Sequence, residues 1–178
     1  LENTVICIAS DHGDMLGDHS EQAKSKPWQG SASVPLVCSG PGIARGENYT
    51  HPVTTLDLAG TFLDFAGLSP TANMTTKSLR GLLENPSNHS AMPRAFVSSG
   101  LMNWRMVVKE FEGTSYKLIC CNGVCPGAPK SAPKPQGKWS LLLYDVLKDP
   151  FDMVPLEEKL PKVVGEMKPL LPEGWCQN

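Results

Sequence analysis

Residues 4–19 read Thr-Val-Ile-Cys-Ile-Ala-Ser-Asp-His-Gly-Asp-Met-Leu-Gly-Asp-His. The stretch opens with a short apolar run typical of a strand, and this run ends on Asp11, His12 and Gly13. In open α/β sheets, ligands bind beyond the carboxyl ends of the strands. Two metal-capable side chains at this point therefore predict an α/β fold with an active-site edge near the start of the chain.

The composition is that of an ordinary globular protein. The 178 residues carry a formal net charge of −2 and are 40% hydrophobic, which excludes the basic balance of a nucleic-acid-binding protein. The apolar runs 5–9 and 141–144 are far shorter than the roughly 18–20 residues that a bilayer requires, so no membrane span is predicted. A core strand this early, without an initiator Met, favours the later part of a longer protein.

Three Asn-x-Ser/Thr sequons, at Asn48, Asn73 and Asn88, favour the secretory pathway, with an extracellular or lysosomal destination. In that oxidising environment clustered cysteines form disulfides more readily than they bind zinc, and no His partners stand at zinc-finger spacing. We therefore expect four cysteines to staple the terminal region: Cys120, Cys121, Cys125 and Cys176.

The first half of the chain alternates strand and helix patterns. Strands are predicted over residues 4–9 and 34–38, and an amphipathic helix over residues 54–66 ends at Gly67. Its apolar residues are spaced at i, i+3, i+4 and i+7, which predicts a single face packed on the core. That face comprises Leu58, Thr61, Phe62 and Phe65.

The second half shows a period of two, which is typical of an antiparallel sheet. A Pro- and Asn-rich region over residues 69–93, with a short helical turn at 79–83, separates it from the first half. A helix over residues 155–171 is expected to close over the sheet. The predicted domains are residues 1–90 and 91–178, and the predicted strands cover residues 95–98, 105–109, 115–120 and 141–146.

Asp11 and His12 can face one ion only if the backbone leaves the strand sharply, and Gly13 supplies the conformational freedom for that. Asp and Gly are also common turn residues, so this triplet alone is a weak signal. The longer string Asp-His-Gly-x-x-x-Gly-Asp-His, followed by Lys24, is far more specific.

This string resembles the sulfatases, the formylglycine-dependent branch of the alkaline phosphatase superfamily, and its spacing looks most like iduronate-2-sulfatase-type members. The resemblance implies the C-terminal part of an alkaline-phosphatase-like α/β sandwich, here residues 1–90, followed by a small antiparallel-sheet-plus-helix subdomain. Further segments resemble the family in the expected order: residues 34–42, 53–61, 77–83 and 143–150.

The resemblance implies hydrolysis of a sulfate ester on a sugar or aryl alcohol, in which a formylglycine hydrate attacks sulfur. A divalent ion, usually Ca²⁺, neutralises the anionic group. Asp11 and His12 match the later pair of metal ligands, and Lys24 matches the lysine that contacts sulfate. The nucleophile and two earlier aspartates would lie upstream, so this chain alone is predicted to be inactive.

Several alternatives stay open at this stage. His12 is an awkward ligand for Ca²⁺, which prefers oxygen, so Mn²⁺ or Zn²⁺ remains possible. His19 could contact substrate or act as an acid, or it could hold Asp14 or Asp18 in the loop. The whole protein could instead be a non-catalytic secreted glycoprotein with a sulfatase fold, or a related phosphoester or phosphonate hydrolase.

Other polar and aromatic residues have simpler structural interpretations. Asp57 lies in the first turn of a predicted helix, where an acid favours the positive end of the dipole, and this is preferred to a catalytic role. Trp104 and Trp139 are assigned to the core or to subdomain contacts. Gln29 and Ser33 stand where the family often has Glu and Arg, which removes two charges near the site.

Overall fold

The computed structural model describes residues 2–88, 91–135 and 137–176. These residues form two compact units: the first comprises Leu1–Asp11 and Pro35–Ala95, and the second comprises His12–Val34 and Phe96–Asn178. The boundary between the units after Ala95 is close to the domain boundary predicted at residue 90. Residues 12–34, however, group with the second unit. The linear division into domains 1–90 and 91–178 stays a prediction.

The predicted helices and strands are present in the predicted order, with shifted ends, and the short helix at Gln29–Ala32 was not predicted. Short 3₁₀ turns at Asp18–Ser20, Thr55–Asp57 and Lys168–Leu170 accompany them. Within the described ranges no helix is long and apolar enough to cross a membrane. The elements are β1 Ile6–Ala9, α1 Gln29–Ala32, β2 Leu36–Ser39, α2 Leu58–Phe65, α3 Arg80–Glu84, β3 Val97–Leu101, β4 Trp104–Phe111, β5 Thr114–Asn122, β6 Trp139–Asp145 and α4 Pro161–Met167.

In the first unit, β1 and β2 pair as a two-stranded antiparallel sheet. Cys7 and Cys38 lie opposite each other in this ladder and form a disulfide. The two strands are neighbours although a long segment separates them in the chain, and that segment groups with the second unit.

The predicted core face of α2 was wrong in part. Thr61 is fully buried, as expected, but Phe62 is 45% exposed. The helix packs through Gly60, whose amide donates to Thr76 Oγ1 at 2.8 Å. A Cβ at Gly60 would lie 2.6 Å from the carbonyl oxygen of Lys77, so this close approach of backbone to backbone needs glycine. Packing against residues 76–77 therefore overrides the simple apolar periodicity.

Asp57 is fully buried at the start of α2 and forms an ion pair. Arg94 donates to it twice, from Nε to Oδ2 and from Nη2 to Oδ1, both at 2.7 Å. The Lys77 amide adds a third bond at 2.7 Å, and hydrogen bonding to Asp57 raises the pKa of Arg94. Asp57 therefore ties Arg94 and residue 77 to α2, a role that the helix-dipole interpretation did not include.

The second unit contains a four-stranded antiparallel sheet in the order β3-β4-β5-β6. Each predicted strand is present and is longer than predicted. Tight turns join β3 to β4 and β4 to β5, whereas a long loop joins β5 to β6. One face packs on Met15 and Trp28 from residues 12–34, and the other packs on Val163 and Met167 of α4. The predicted closing helix is thus confirmed. The packing of residues 12–34 on the opposite face of the sheet was not predicted.

The prediction that the later cysteines form disulfides is confirmed. Cys120 pairs with Cys176, and Cys121 pairs with Cys125. Because neighbouring residues of a strand point to opposite faces, the two bonds secure the two sides of β5 separately. The first bond secures the C-terminal segment and the second closes a short loop after β5.

Replacing Tyr144 with Phe is expected to raise the free energy of unfolding by about 1 kcal/mol, because the buried hydroxyl has no hydrogen-bond partner among the described residues. Burial also raises the pKa of Tyr144 far above its usual value. Above about pH 10 the unfolded chain loses this proton and the folded chain keeps it, so wild-type stability falls with pH by about 1.4 kcal/mol per unit. The Tyr144→Phe variant lacks that loss.

Urea unfolding at pH 7 and pH 10.5 measures both effects, with Tyr116→Phe on the same sheet as the control. A destabilised Tyr144→Phe protein would show that the hydroxyl has a partner.

Candidate functional site

The structure brings together two of the residues predicted for the site. Lys24 Nζ lies 2.8 Å from His12 Nε2, and His12 Nδ1 lies 2.8 Å from the carbonyl oxygen of Gly13. A carbonyl can only accept, so Nδ1 carries the hydrogen and the Nε2 lone pair accepts from Lys24. A flexible cation and an imidazole twelve positions apart in sequence therefore share one hydrogen bond.

Gly13 is needed at this turn for a different reason from the one predicted. Its amide donates to the Ser31 carbonyl at 2.9 Å. A Cβ at this position would lie 2.1 Å from the carbonyl oxygen of Gly30. The glycine thus allows close contact between two backbone segments, and any side chain would push the turn away from α1.

The described residues alone do not make a calcium site. Asp11 is exposed and ends a segment of the first unit, whereas His12 begins a segment of the second. Within the described part of the chain, no three His, Cys, Asp or Glu side chains surround a common point. Because Ca²⁺ takes six to eight oxygen ligands, these two residues supply too few donors. Their role as metal ligands stays a prediction.

The backbone on either side of Lys24 is held by distant residues. Ala23 and Ser25 both have left-handed φ values, 60° and 74°, which are unusual for residues with a Cβ. The Met15 amide donates to the Ala23 carbonyl at 2.8 Å, and Trp104 Nε1 donates to the Ser25 carbonyl at 3.0 Å. Trp104 is buried, as predicted, and it also fixes the residue next to Lys24.

His19 lies between two backbone carbonyls. Its Nδ1 is 2.8 Å from the Gly127 oxygen and its Nε2 is 2.7 Å from the Phe151 oxygen. The ring stacks on Trp28 with centroids 4.2 Å apart. Both bonds form together only when both nitrogens carry hydrogen, that is, in the imidazolium form. These contacts hold the loop through atoms other than the predicted Asp14 and Asp18, and a catalytic role for His19 stays a prediction.

Sequence reasoning missed a buried ion pair behind this segment. Lys117 and Asp152 are fully buried and joined to each other. Lys117 Nζ also donates to the Pro27 carbonyl at 3.2 Å and to Gln29 Oε1 at 3.1 Å. The Gln29 amide donates to Asp152 Oδ2 at 2.7 Å. Burial lowers the pKa of Lys117 and raises that of Asp152.

A signal for Lys117 was present in the sequence. A lysine in an alternating strand is normally taken to lie on the solvent face. Its same-face neighbours, Ile119 and Cys121, are apolar and completely buried. A charged residue in such a row predicts a buried partner, although the alternation does not identify Asp152 as that partner.

The three predicted glycosylation positions, Asn48, Asn73 and Asn88, are exposed. Asn88 is followed by His89 and Ser90, which lie outside the described residues. Their glycosylation stays a prediction.

The fold of the chain is an α/β fold of the alkaline-phosphatase-like class. It is similar to the solved structure of BT4656 in complex with its substrate D-glucosamine-2-N,6-O-disulfate, with a TM-score of 0.74 and 24% identity. That match covers 97% of this chain and 34% of the solved chain.

Sequence comparison agrees with the fold. Residues 1–68 match the sulfatase family model. The chain is 30% identical over 173 residues to arylsulfatase K of Xenopus laevis, covering 94% of this chain, and 39% identical over 93 residues to arylsulfatase K of Danio rerio, covering 52%. The chain belongs to the sulfatase family. It spans 30% and 18% of the lengths of these two relatives.

Proposed function

We propose that this chain is the C-terminal portion of a sulfatase that hydrolyses a sulfate ester. The observation that carries the proposal is the 2.8 Å contact between Lys24 and His12 in a chain of the sulfatase family. It joins a group suited to bind an oxyanion with a group suited to bind a metal.

Lys24 is proposed to bind the sulfate group. Its side chain is exposed, and an ammonium has three N–H donors. With its hydrogen on Nδ1, His12 can bind a metal only through Nε2, so a bound metal would replace the bond from Lys24 and leave all three donors for sulfate oxygens. The same charge would stabilise negative charge on the bridging oxygen as the ester bond breaks. Lysine suits this role because its compact charge can follow the oxygen through the reaction.

The metal and the nucleophile are proposed to depend on residues outside this chain. We propose Ca²⁺ as the metal, with Mn²⁺ or Zn²⁺ as the alternative, and Asp11 and His12 as two of its ligands. When bound, such an ion neutralises the anionic group under attack. The nucleophile would be a formylglycine in a Cys/Ser-x-Pro-x-Arg motif, and residues 1–178 alone are expected to show no turnover.

The proposed substrate is a sulfated sugar or an aryl sulfate, and the proposed location is the secretory pathway or the lysosome. The substrate of BT4656 and the names of the arylsulfatase K relatives support the substrate class. Three disulfides support an oxidising compartment, and the exposure of Asn48, Asn73 and Asn88 is compatible with N-glycosylation.

Removing the metal from the full-length protein that carries this chain is expected to abolish hydrolysis of p-nitrophenyl sulfate, and added Ca²⁺ is expected to restore it. Metal analysis of the dialysed protein, wild type against His12→Ala, gives a readout that does not depend on activity. Turnover of a phosphonate ester but not a sulfate ester would favour a phosphonate hydrolase. Binding of N,6-O-disulfated glucosamine without any turnover would favour the non-catalytic glycoprotein.

A further inference from the structure

We propose that the buried Lys117–Asp152 pair is a positioning device that holds residues 25–29, and with them Lys24, in place for sulfate binding. The catalytic consequence rests on the function proposed above. The positioning itself is a property of the fold and can be tested separately.

Lys117 and Asp152 form hydrogen bonds with partners in residues 27–29. The three hydrogens of the Lys117 ammonium have three acceptors: Asp152, the Pro27 carbonyl and Gln29 Oε1. Asp152 Oδ2 also accepts from the Gln29 amide at 2.7 Å. The pair thus fixes a carbonyl, an amide and a side chain of one short segment.

The rigid side of this arrangement is the sheet. Lys117 lies in β5, a central strand bonded to neighbours on both edges, directly opposite Val108 and Tyr144 in the ladders. Tyr144 meets Trp28 edge to face at 6.1 Å, and Trp28 Nε1 donates to the Pro126 carbonyl at 2.7 Å. Residues 27–29 are therefore seated on the sheet, and an apolar pair could fill the space without orienting them.

The loop that leads into residues 25–29 needs such support because its backbone is strained. Left-handed φ values in residues with a Cβ cost free energy and persist only where the surroundings impose them. Residues 16–25 contain a run of them: Leu16, His19, Ser20, Ala23 and Ser25. Without anchors on its C-terminal side, this loop is expected to relax and to carry Lys24 away from its position.

Trypsin cleavage at the Lys24–Ser25 bond reports the order of this segment, because cleavage requires local opening. The next basic residue, Lys26, precedes Pro27, and trypsin does not cut that bond readily. The variant is Lys117→Met with Asp152→Leu, which removes the anchors without leaving a buried unpaired charge. Cleavage at Lys24 is expected to become at least about tenfold faster, while cleavage at the exposed Lys77 in the first unit stays unchanged.

The control replaces the ion pair between the buried Asp57 and the partly exposed Arg94, as Asp57→Leu with Arg94→Met, and leaves every anchor of residues 25–29 intact. Cleavage at Lys24 should not rise in this control. Equal acceleration in both paired variants would overturn the proposal, as would no acceleration in either. If the Lys117 and Asp152 variant does not fold, Gln29→Leu removes one acceptor and keeps the ion pair; it is expected to accelerate cleavage about threefold, and no acceleration would overturn the proposal.

Kinetics of the full-length protein separate positioning from general stability. In the Lys117→Met, Asp152→Leu background, a further Lys24→Ala change should lower kcat/KM for p-nitrophenyl sulfate far less than it does in the wild type, because Lys24 is already displaced. If Lys24→Ala lowers kcat/KM by the same factor in both backgrounds, the pair does not position Lys24. If the wild-type protein hydrolyses no sulfate ester, the proposed function fails, and the trypsin result still decides the inference.

Discussion

Replacing Lys24 with alanine in the full-length protein is expected to lower kcat/KM for p-nitrophenyl sulfate by roughly 10²–10³-fold, the usual cost of removing one donor from a developing oxyanion. Lys24 is exposed and lies 2.8 Å from His12, so the variant loses a cation at the proposed sulfate position without opening a cavity in the core. Steady-state kinetics with unchanged thermal stability would establish the effect.

Lys26→Ala provides the matched control, since Lys26 lies in the same segment and pairs with Glu21 at 2.6 Å on the partly exposed surface. Such a pair contributes little to stability, and we expect activity within about threefold of the wild type. Lys24→Arg should recover only part of the activity, because a planar guanidinium presents its donors differently. Similar losses in Lys24→Ala and Lys26→Ala would refute a specific role for Lys24.

Replacing Lys117 with methionine is expected to lower the free energy of unfolding by about 3–5 kcal/mol at pH 7, because Asp152 is left as a buried charge without its partner. Denaturant unfolding followed by circular dichroism measures the loss. Lys162→Met is the control: Lys162 is 75% exposed and lies 3.6 Å from Glu112, so less than about 1 kcal/mol is expected.

The loss in Lys117→Met should depend on pH in a defined direction. Burial raises the pKa of Asp152, and Lys117 opposes that rise in the wild type. Without Lys117 the folded carboxyl binds its proton at a higher pH than the unfolded chain does, so stability is regained as pH falls. The difference from wild type should be largest at neutral pH and smallest near pH 4. A difference that grows toward acid pH would show that the lost lysine charge is not the cause.

Much of the fold could be predicted from local patterns. Period-two alternation identified the four strands of the second unit, and spacing of three and four identified α2 and α4. The string from Asp11 to Lys24 pointed to the sulfatase family, which the comparisons confirm. The face of α2 was predicted less well, because the close approach of Gly60 to Lys77 depends on a segment far along the chain.

The candidate site shows the same division. The resemblance of the string from Asp11 to Lys24 to the sulfatases selected His12 and Lys24, and their roles stay predictions. His19 belongs to the same string, yet its partners, Gly127 and Phe151, belong to later loops. The residue type fixes the chemistry of a side chain, but distant parts of the chain decide which groups it contacts.

Local sequence patterns predicted the six strands, α2, α3 and α4, and the disulfide-forming character of the later cysteines. Only the tertiary structure decided that residues 12–34 cover one face of the sheet and that Lys117 and Asp152, 35 positions apart, meet beneath them. The physical reason is that alternation specifies which side of a strand a residue faces. What covers that side is set by long-range packing, and it decides whether a charge meets water or a buried partner.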